Sequence, residues 1–247
     1  MDYGQLSIIR PPAIASRWTF RDHLGALRVR FSLGRKRYRI KPGLYRLGKA
    51  HKDSEVLVTA NYKLSFDLLR KNLEGMDAWI LVLETHGINV WCAAGKGSFG
   101  SDELIRQVKN SRLEQHVSHR RLILPQLGAP GVSAEKVKAA SGFRVRFGPV
   151  RASDIADYIS AGYKKSQAAR TVNFGFRDRL ILTGVELANS VSYLLVAILS
   201  FALLSGIHSG GFSFPLVWQE GLKAGLYLLT ACFSGAFLTP LLLPVLP

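Results

Sequence analysis

The chain has 247 residues, with 33 Lys and Arg against 17 Asp and Glu and a net charge of +16. Two cysteines exclude a disulfide-stapled scaffold, and 48% apolar residues exclude a disordered chain. The charge is unevenly spread, because residues 181–247 hold one basic side chain, Lys223, and two acidic ones, Glu186 and Glu220. A basic domain therefore precedes an apolar tail. No helix-turn-helix or RNA-binding signature accompanies the basic excess, which reads as a topology determinant beside anionic headgroups, not as a nucleic-acid surface.

In chain order, residues 1–49 form a basic extension packed on the domain, with Arg28-Val29-Arg30-Phe31 and Tyr38-Arg39-Ile40 alternating as short strands do. Pro42-Gly43 marks a turn. Regular alternation starts at Glu55: Val56-Leu57-Val58 is a strand, and Leu64, Leu68, Leu69 and Leu73 stand at helical spacing. The wholly apolar run Ala78–Leu83 predicts a strand covered on both faces. Ile88–Trp91 reads as a further short strand, and Ser101 as the cap of the next helix, with Asp102 and Glu103 in its first turn.

Arg121–Leu124 is the next strand, closed by Pro125. Ser133 caps a helix carrying Val137, Phe143–Phe147 alternates as a strand, and Ser153 opens a helix through Tyr163. Strands alternating with helices give an α/β domain over residues 50–165. A basic linker, 166–180, leads into a transmembrane region, 181–247, with helices at about 183–207 and 219–246, each near the length a bilayer requires. The positive-inside rule places the N-terminal domain in the cytoplasm and the chain in the inner membrane as a multi-pass protein. Glu186 and Asn189, costly in lipid, are expected to face other helices or the interface. The run up to Pro247 has no polar flank and reads as a truncated end.

Gly95-Lys96-Gly97-Ser98-Phe99-Gly100 fits the dinucleotide pattern G-x-G-x-x-G, but Cys92-Ala93-Ala94 separate it from a strand and the expected acid further on is replaced by Arg120-Arg121. A structural zinc site lacks its second cysteine, and His116 and His119 read as solvent-facing or basic-edge side chains. Cys92 is open to three readings: a buried small hydrophobe, a nucleophile with His86 as base, or a metal ligand.

The segment Asn89-Val90-Trp91-Cys92-Ala93-Ala94-Gly95-Lys96-Gly97 resembles the signature of the membrane-anchored corrinoid proteins of microbial mercury methylation, the HgcA family. Lys41–Tyr45, Val58–Asp67, Asp77–Leu83 and Phe147–Ala152 resemble the same family, as does a corrinoid domain followed by membrane helices. The resemblance implies a Rossmann-like corrinoid-binding domain in which Cys92 is the lower axial ligand of cobalt, carried on a short helix. It further implies that Thr59, Ala60, Asn61, Asn89, Val90, Trp91, Ala93, Ala94, Gly95, Lys96 and Gly97 line the cofactor. The implied reaction is transfer of a methyl group from cobalt to Hg(II), giving methylmercury. A ferredoxin-like iron–sulfur partner (HgcB-type) and a methyltetrahydrofolate-derived methyl donor are implied with it. Two alternatives stand beside this one: a corrinoid methyl carrier of the reductive acetyl-CoA pathway, and a membrane-tethered nucleotide- or anion-binding domain without catalysis.

Overall fold

The computed structural model describes residues 10–246, so Pro247 and the first nine residues of the extension lie outside the described residues. The chain divides into two compact units, residues 10–26 with 36–172 and residues 27–35 with 173–246.

The first unit is built on a six-stranded sheet: β1 (Ala13–Ile14), β2 (Gly43–Leu47), β3 (Val56–Ala60), β4 (Ala78–Leu83), β5 (Arg121–Leu124) and β6 (Arg144–Phe147). The spatial order is β1-β2-β4-β3-β5-β6. From β4 to β6 all pairs are parallel, whereas β2 runs antiparallel to β4, from Gly43 opposite Val82 to Leu47 opposite Ala78. Every residue of β3 and β4 is buried, as their continuous apolar runs require of strands covered on both faces.

Alternate side chains feed two cores. Val58, Ala60, Leu81 and Leu83 face Ala93, Phe99, Leu104 and Val137, while Leu57, Ile80 and Val82 face Phe66, Leu69, Ile155 and Tyr158. One layer therefore holds α3 (Val90–Gly95), α4 (Ser101–Asn110), the short α5 (Leu113–His116) and α6 (Ala134–Ser141). The opposite layer holds α2 (Lys63–Asn72) and α7 (Ile155–Ser160).

Several local expectations change. Arg28–Phe31 is no strand: Arg28 to Arg30 close α1 (Phe20–Arg30), whose Asp22, Ala26 and Val29 are buried at helical spacing. Tyr38–Ile40 contributes only an isolated bridge from Arg39 to Tyr62. Strand β2 went unread because Pro42-Gly43 looks like a turn and its pairing partner, β4, lies 35 residues away in register. Ile88–Trp91 enters a helix, since the Asn89 side chain caps it. Helix α4 is preceded by Gly100 without a side-chain cap; the buried Ser101 hydroxyl accepts from Ser133 N–H at 2.8 Å instead. Ser133 does cap α6, through Lys136 N–H.

The N-terminal segment is fastened to α2 by charge. Lys63 reaches Asp22 at 2.6 Å, Arg70 reaches Asp22 and Asp67 at 2.8 Å each, and Asp67 is fully buried. Burial alone would raise the Asp22 pKa, but hydrogen bonds from Lys63, Thr19 and Arg70 outweigh it and hold the carboxyl well below the usual range.

The second unit contains α8 (Phe176–Ser205) and α9 (Phe214–Phe233), joined by a two-stranded turn, β7 (Ile207–His208) and β8 (Gly211–Phe212). Helix α9 continues through a π-helical turn, Ser234–Leu238, into α10 (Thr239–Leu242). Phe176–Ser205 (mean hydropathy 2.0) and Phe214–Leu242 (mean hydropathy 1.6) are long and apolar enough to cross a bilayer. They meet through small residues: a Cβ on Gly221 would lie 2.8 Å from the Ala202 Cβ, and one on Gly225 would lie 3.4 Å from Ile198. Glu186 and Asn189 are exposed on α8, which leaves the interface as the open one of the two expected placements.

Candidate functional site

Counting only the parallel strands in chain order, the sheet order is 2-1-3-4, a doubly wound pattern whose order reverses between β3 and β5. Connections leave these two strands in opposite directions, which opens a crevice at their C-terminal ends. A cavity of about 470 Å³ lies there. Its walls are Leu57 to Thr59 of β3, Leu68, Leu69 and Asn72 of α2, and Ile123 to Pro125 at the end of β5. Asn89, Val90 and Trp91 at the start of α3 close another side, and the loop from Gly148 to Ser153 closes a third. That loop is pinned by Lys165, whose ammonium donates to Gly148 O at 2.9 Å and also to Phe147 O and the Gln126 side chain. Burial without a carboxylate partner, and the nearby Arg170, push the Lys165 pKa down.

Helix α3 is short, and its placement rests on side-chain hydrogen bonds. The Asn89 carboxamide oxygen accepts from Cys92 N–H at 2.9 Å, starting the helix. Upstream, the buried Asn61 carboxamide oxygen accepts from Thr85 N–H, the Thr85 hydroxyl and Gly87 N–H, while its nitrogen donates to Glu84 at 2.7 Å. The single Thr85 hydroxyl proton is shared between the Asn61 oxygen, at 2.9 Å, and Ile88 O, at 2.7 Å, one residue before the cap. Gly97 ends the helix at φ +80°, a conformation glycine adopts without a Cβ penalty, with its N–H on Ala94 O at 3.2 Å.

The two faces of α3 differ. Ala93 and Ala94 are buried and lie against the 3-10 turn Gln126–Gly131; a Cβ on Gly131 would sit 2.1 Å from Phe99 O and 3.2 Å from Ala94 Cα. On the outer face, Trp91, Cys92, Gly95, Lys96 and Gly97 are exposed. A Cβ on Gly95 would meet nothing within 4 Å. Glycine at the end of a helix with open space around it is not demanded by packing.

These positions revise part of the expected cofactor lining. Thr59, Val90, Trp91 and Asn89 line the cavity, while Cys92, Gly95, Lys96 and Gly97 are exposed on the same short helix and the turn beyond it. Ala60 and Asn61 are wholly buried, and Ala93 and Ala94 face inward, so their small or polar side chains serve the fold around the site. Asn89 spends its oxygen on the helix cap and not on the sulfur. His86 lies 3.8 Å from Glu84, and His119 is tied to Ser54 O at 3.0 Å and Arg121 N–H at 3.2 Å instead of facing solvent. His116 packs on Trp79, where burial lowers its pKa. Both cysteines are free. Sequence reasoning missed Leu68, Asn72 and the Gly148–Ser153 wall; the Gly148-Pro149 pair after a strand was the available signal.

The fold is thus a doubly wound α/β domain with an apolar crevice at its switch point, where open sheets of this kind bind ligands, and an exposed thiol on the helix that borders it. The chain belongs to the CO dehydrogenase/acetyl-CoA synthase delta subunit family, whose profile matches residues 23–159. Among curated relatives, the acetyl-CoA decarbonylase/synthase complex subunit gamma of Methanopyrus kandleri is 30% identical over 122 residues, covering 49% of this chain and 26% of the relative. The corresponding subunit of Methanothermobacter thermautotrophicus is 30% identical over 127 residues, covering 51% and 27%. The corrinoid/iron-sulfur protein large subunit of Moorella thermoacetica is 28% identical over 125 residues, covering 50% and 28%. The chain thus spans about a quarter of the length of these relatives. Helices α8 and α9 lie outside the stretch matched by the family profile.

Proposed function

We propose that this chain binds a corrinoid at the switch-point cavity and takes part in corrinoid-dependent methyl transfer. Membership of the family, together with a relative named as a corrinoid/iron-sulfur protein, supports methyl carriage for an acetyl-CoA-type route. Three features of the site fit a large flat cofactor. The cavity is mostly apolar, the outer face of α3 is open at Gly95, and Cys92, one residue after the cavity-lining Trp91, presents an exposed soft donor atom. A bound corrinoid supplies the cobalt on which a methyl group is carried.

The chain's own residues do the rest. Asn61 and Asn89 hold α3 in place, and Cys92 on its outer face would offer a thiolate to the cobalt of a bound corrinoid. Thr59, Val90 and Trp91, with Leu68 and the Gly148–Ser153 loop, exclude water from the cofactor's edge. Lys96 and Gly97, exposed after the thiol, remain available to polar groups of the cofactor rim.

Cys92 favours a second reading of the acceptor. A thiolate ligand pushes electron density through the metal, which suits delivery of the methyl group to the soft cation Hg(II), the reaction implied by the HgcA-like signature. That reading would call for a ferredoxin-like iron–sulfur protein as reductant and a methyltetrahydrofolate-derived compound as methyl donor. We further propose that α8 and α9 cross the inner membrane and leave the basic domain in the cytoplasm.

The full chain loaded with cob(III)alamin tests the cofactor claim. Wild type is expected to show a thiolate-shifted visible spectrum that Cys92→Ala abolishes; coincident spectra would sink the ligation. Loaded with methylcobalamin and given Hg(II), wild type is expected to release methylmercury if mercury is the acceptor. Quantitative retention of the methyl group assigns the chain to the carrier reading.

A further inference from the structure

Helix α1 carries two apolar faces, and only one of them is used by the fold. Asp22, Ala26 and Val29 are buried, whereas Phe20, Leu24, Leu27 and Phe31 are exposed, Phe20 at 79% and Leu24 at 55%. At 3.6 residues per turn, Phe20, Leu24 and Leu27 fall within roughly a 60° arc opposite the buried face, and Phe31 follows directly on the last helical residue. Arg21 and Arg28 flank one side of that arc, and Arg30 and His23 flank the other. Leu33, just beyond the helix, adds another exposed apolar side chain.

A contiguous stripe of this kind on a soluble surface marks a binding face. Its surroundings identify the occupant. The segment 27–35 belongs to the same compact unit as α8, and a Cβ on Gly184 would lie 3.5 Å from the Phe31 ring and 3.6 Å from Arg30 O. The Phe31 end of the stripe therefore lies beside Gly184 of a helix long and apolar enough to cross a bilayer. Arginines on both flanks match anionic headgroups, since their stems follow the apolar face while their guanidinium groups stay in water.

We propose that α1 is an interfacial anchor: Phe20, Leu24, Leu27 and Phe31 insert at the headgroup–acyl boundary of an anionic membrane while Arg21, Arg28 and Arg30 meet lipid phosphates. The inference rests on the membrane reading of α8. It gives the segment around α1 a role in membrane attachment.

Site-directed nitroxide labelling of the full chain tests it, in a background with Cys92→Ala and Cys232→Ala, in nanodiscs of phosphatidylcholine and phosphatidylglycerol. Labels are placed by Leu24→Cys, Leu27→Cys, Arg21→Cys and Arg28→Cys, with Leu199→Cys on α8 as the membrane reference. The ratio of oxygen to nickel-chelate collision rates is expected to be about tenfold higher at 24 and 27 than at 21 and 28, because oxygen partitions into lipid and the chelate does not. If 24 and 27 are as open to the chelate as 21 and 28 while 199 is lipid-exposed, the anchor is wrong. If 24 and 27 are shielded from both reagents, a protein covers the stripe and the anchor is equally wrong. A water-exposed label at 199 removes the membrane reading itself, a failure separate from that of the anchor.

Discussion

The inner and outer faces of α3 both carry small residues, and those small residues answer to different demands. Inside, Ala93, Ala94 and Gly131 are small because backbone meets backbone; a methyl group on Gly131 would lie 2.1 Å from Phe99 O. Outside, Gly95 is small although nothing stands within 4 Å of the methyl it lacks. The first set is explained by the fold, whereas the second is not required by it and is the clearance that the proposed ligand would use. Small residues in a motif are therefore not one signal but two, and a substitution separates them.

The largest effect is expected at Gly131→Ala. No nearby side chain can give way, so the strand-end turn and α3 must part, costing about 3 kcal/mol or more in denaturant unfolding of the detergent-solubilised chain. A loss under about 0.5 kcal/mol, the size of an ordinary surface change, would erase the contrast between the faces. Asn89→Ala comes next. Removing the cap of a six-residue helix is expected to cost about 1 kcal/mol, and Asn89→Asp, which keeps the accepting oxygen, is expected to recover most of it.

Gly95→Ala is expected to have the opposite sign, raising stability by about 0.5 kcal/mol through a less flexible unfolded chain while weakening cob(III)alamin binding in a visible-absorbance titration. Unchanged corrinoid affinity would show that Gly95 is not clearance for a ligand. Cys92→Ala is expected to leave stability within about 0.5 kcal/mol, since the side chain is exposed and makes no packing contribution. An unfolding midpoint that falls sharply would return Cys92 to the role of a core residue.

Much of the domain was legible because its strands are unambiguous. Ala78–Leu83 has no polar residue and can only be a strand covered on both faces, and Pro125 closes β5 where it stands. Strand β2 was hidden because it pairs antiparallel at the sheet's far side and opens on Pro42-Gly43, a turn signal. Helix α1 was mistaken because Arg28-Val29-Arg30-Phe31 alternates over four residues, while its helical period shows only over the longer span from Phe20. Within the site, the motif around Cys92 was visible, but not which of its members turn inward.

The sequence by itself determined the alternation of strands and helices, the charge asymmetry between domain and tail, and the placing of a lone thiol among small residues. Those are properties of neighbours along the chain: periodicity, composition and spacing. Only the tertiary structure decided that β3 and β5 are adjacent, so that a cavity opens where their connections diverge. It alone decided that Asn61 organises the turn ahead of α3, and that Ala93 and Ala94 are buried while Cys92 and Gly95 are exposed. A six-residue helix has too few turns to declare its buried face in sequence. The turn Gln126–Gly131, more than 30 residues further on, declares it by packing.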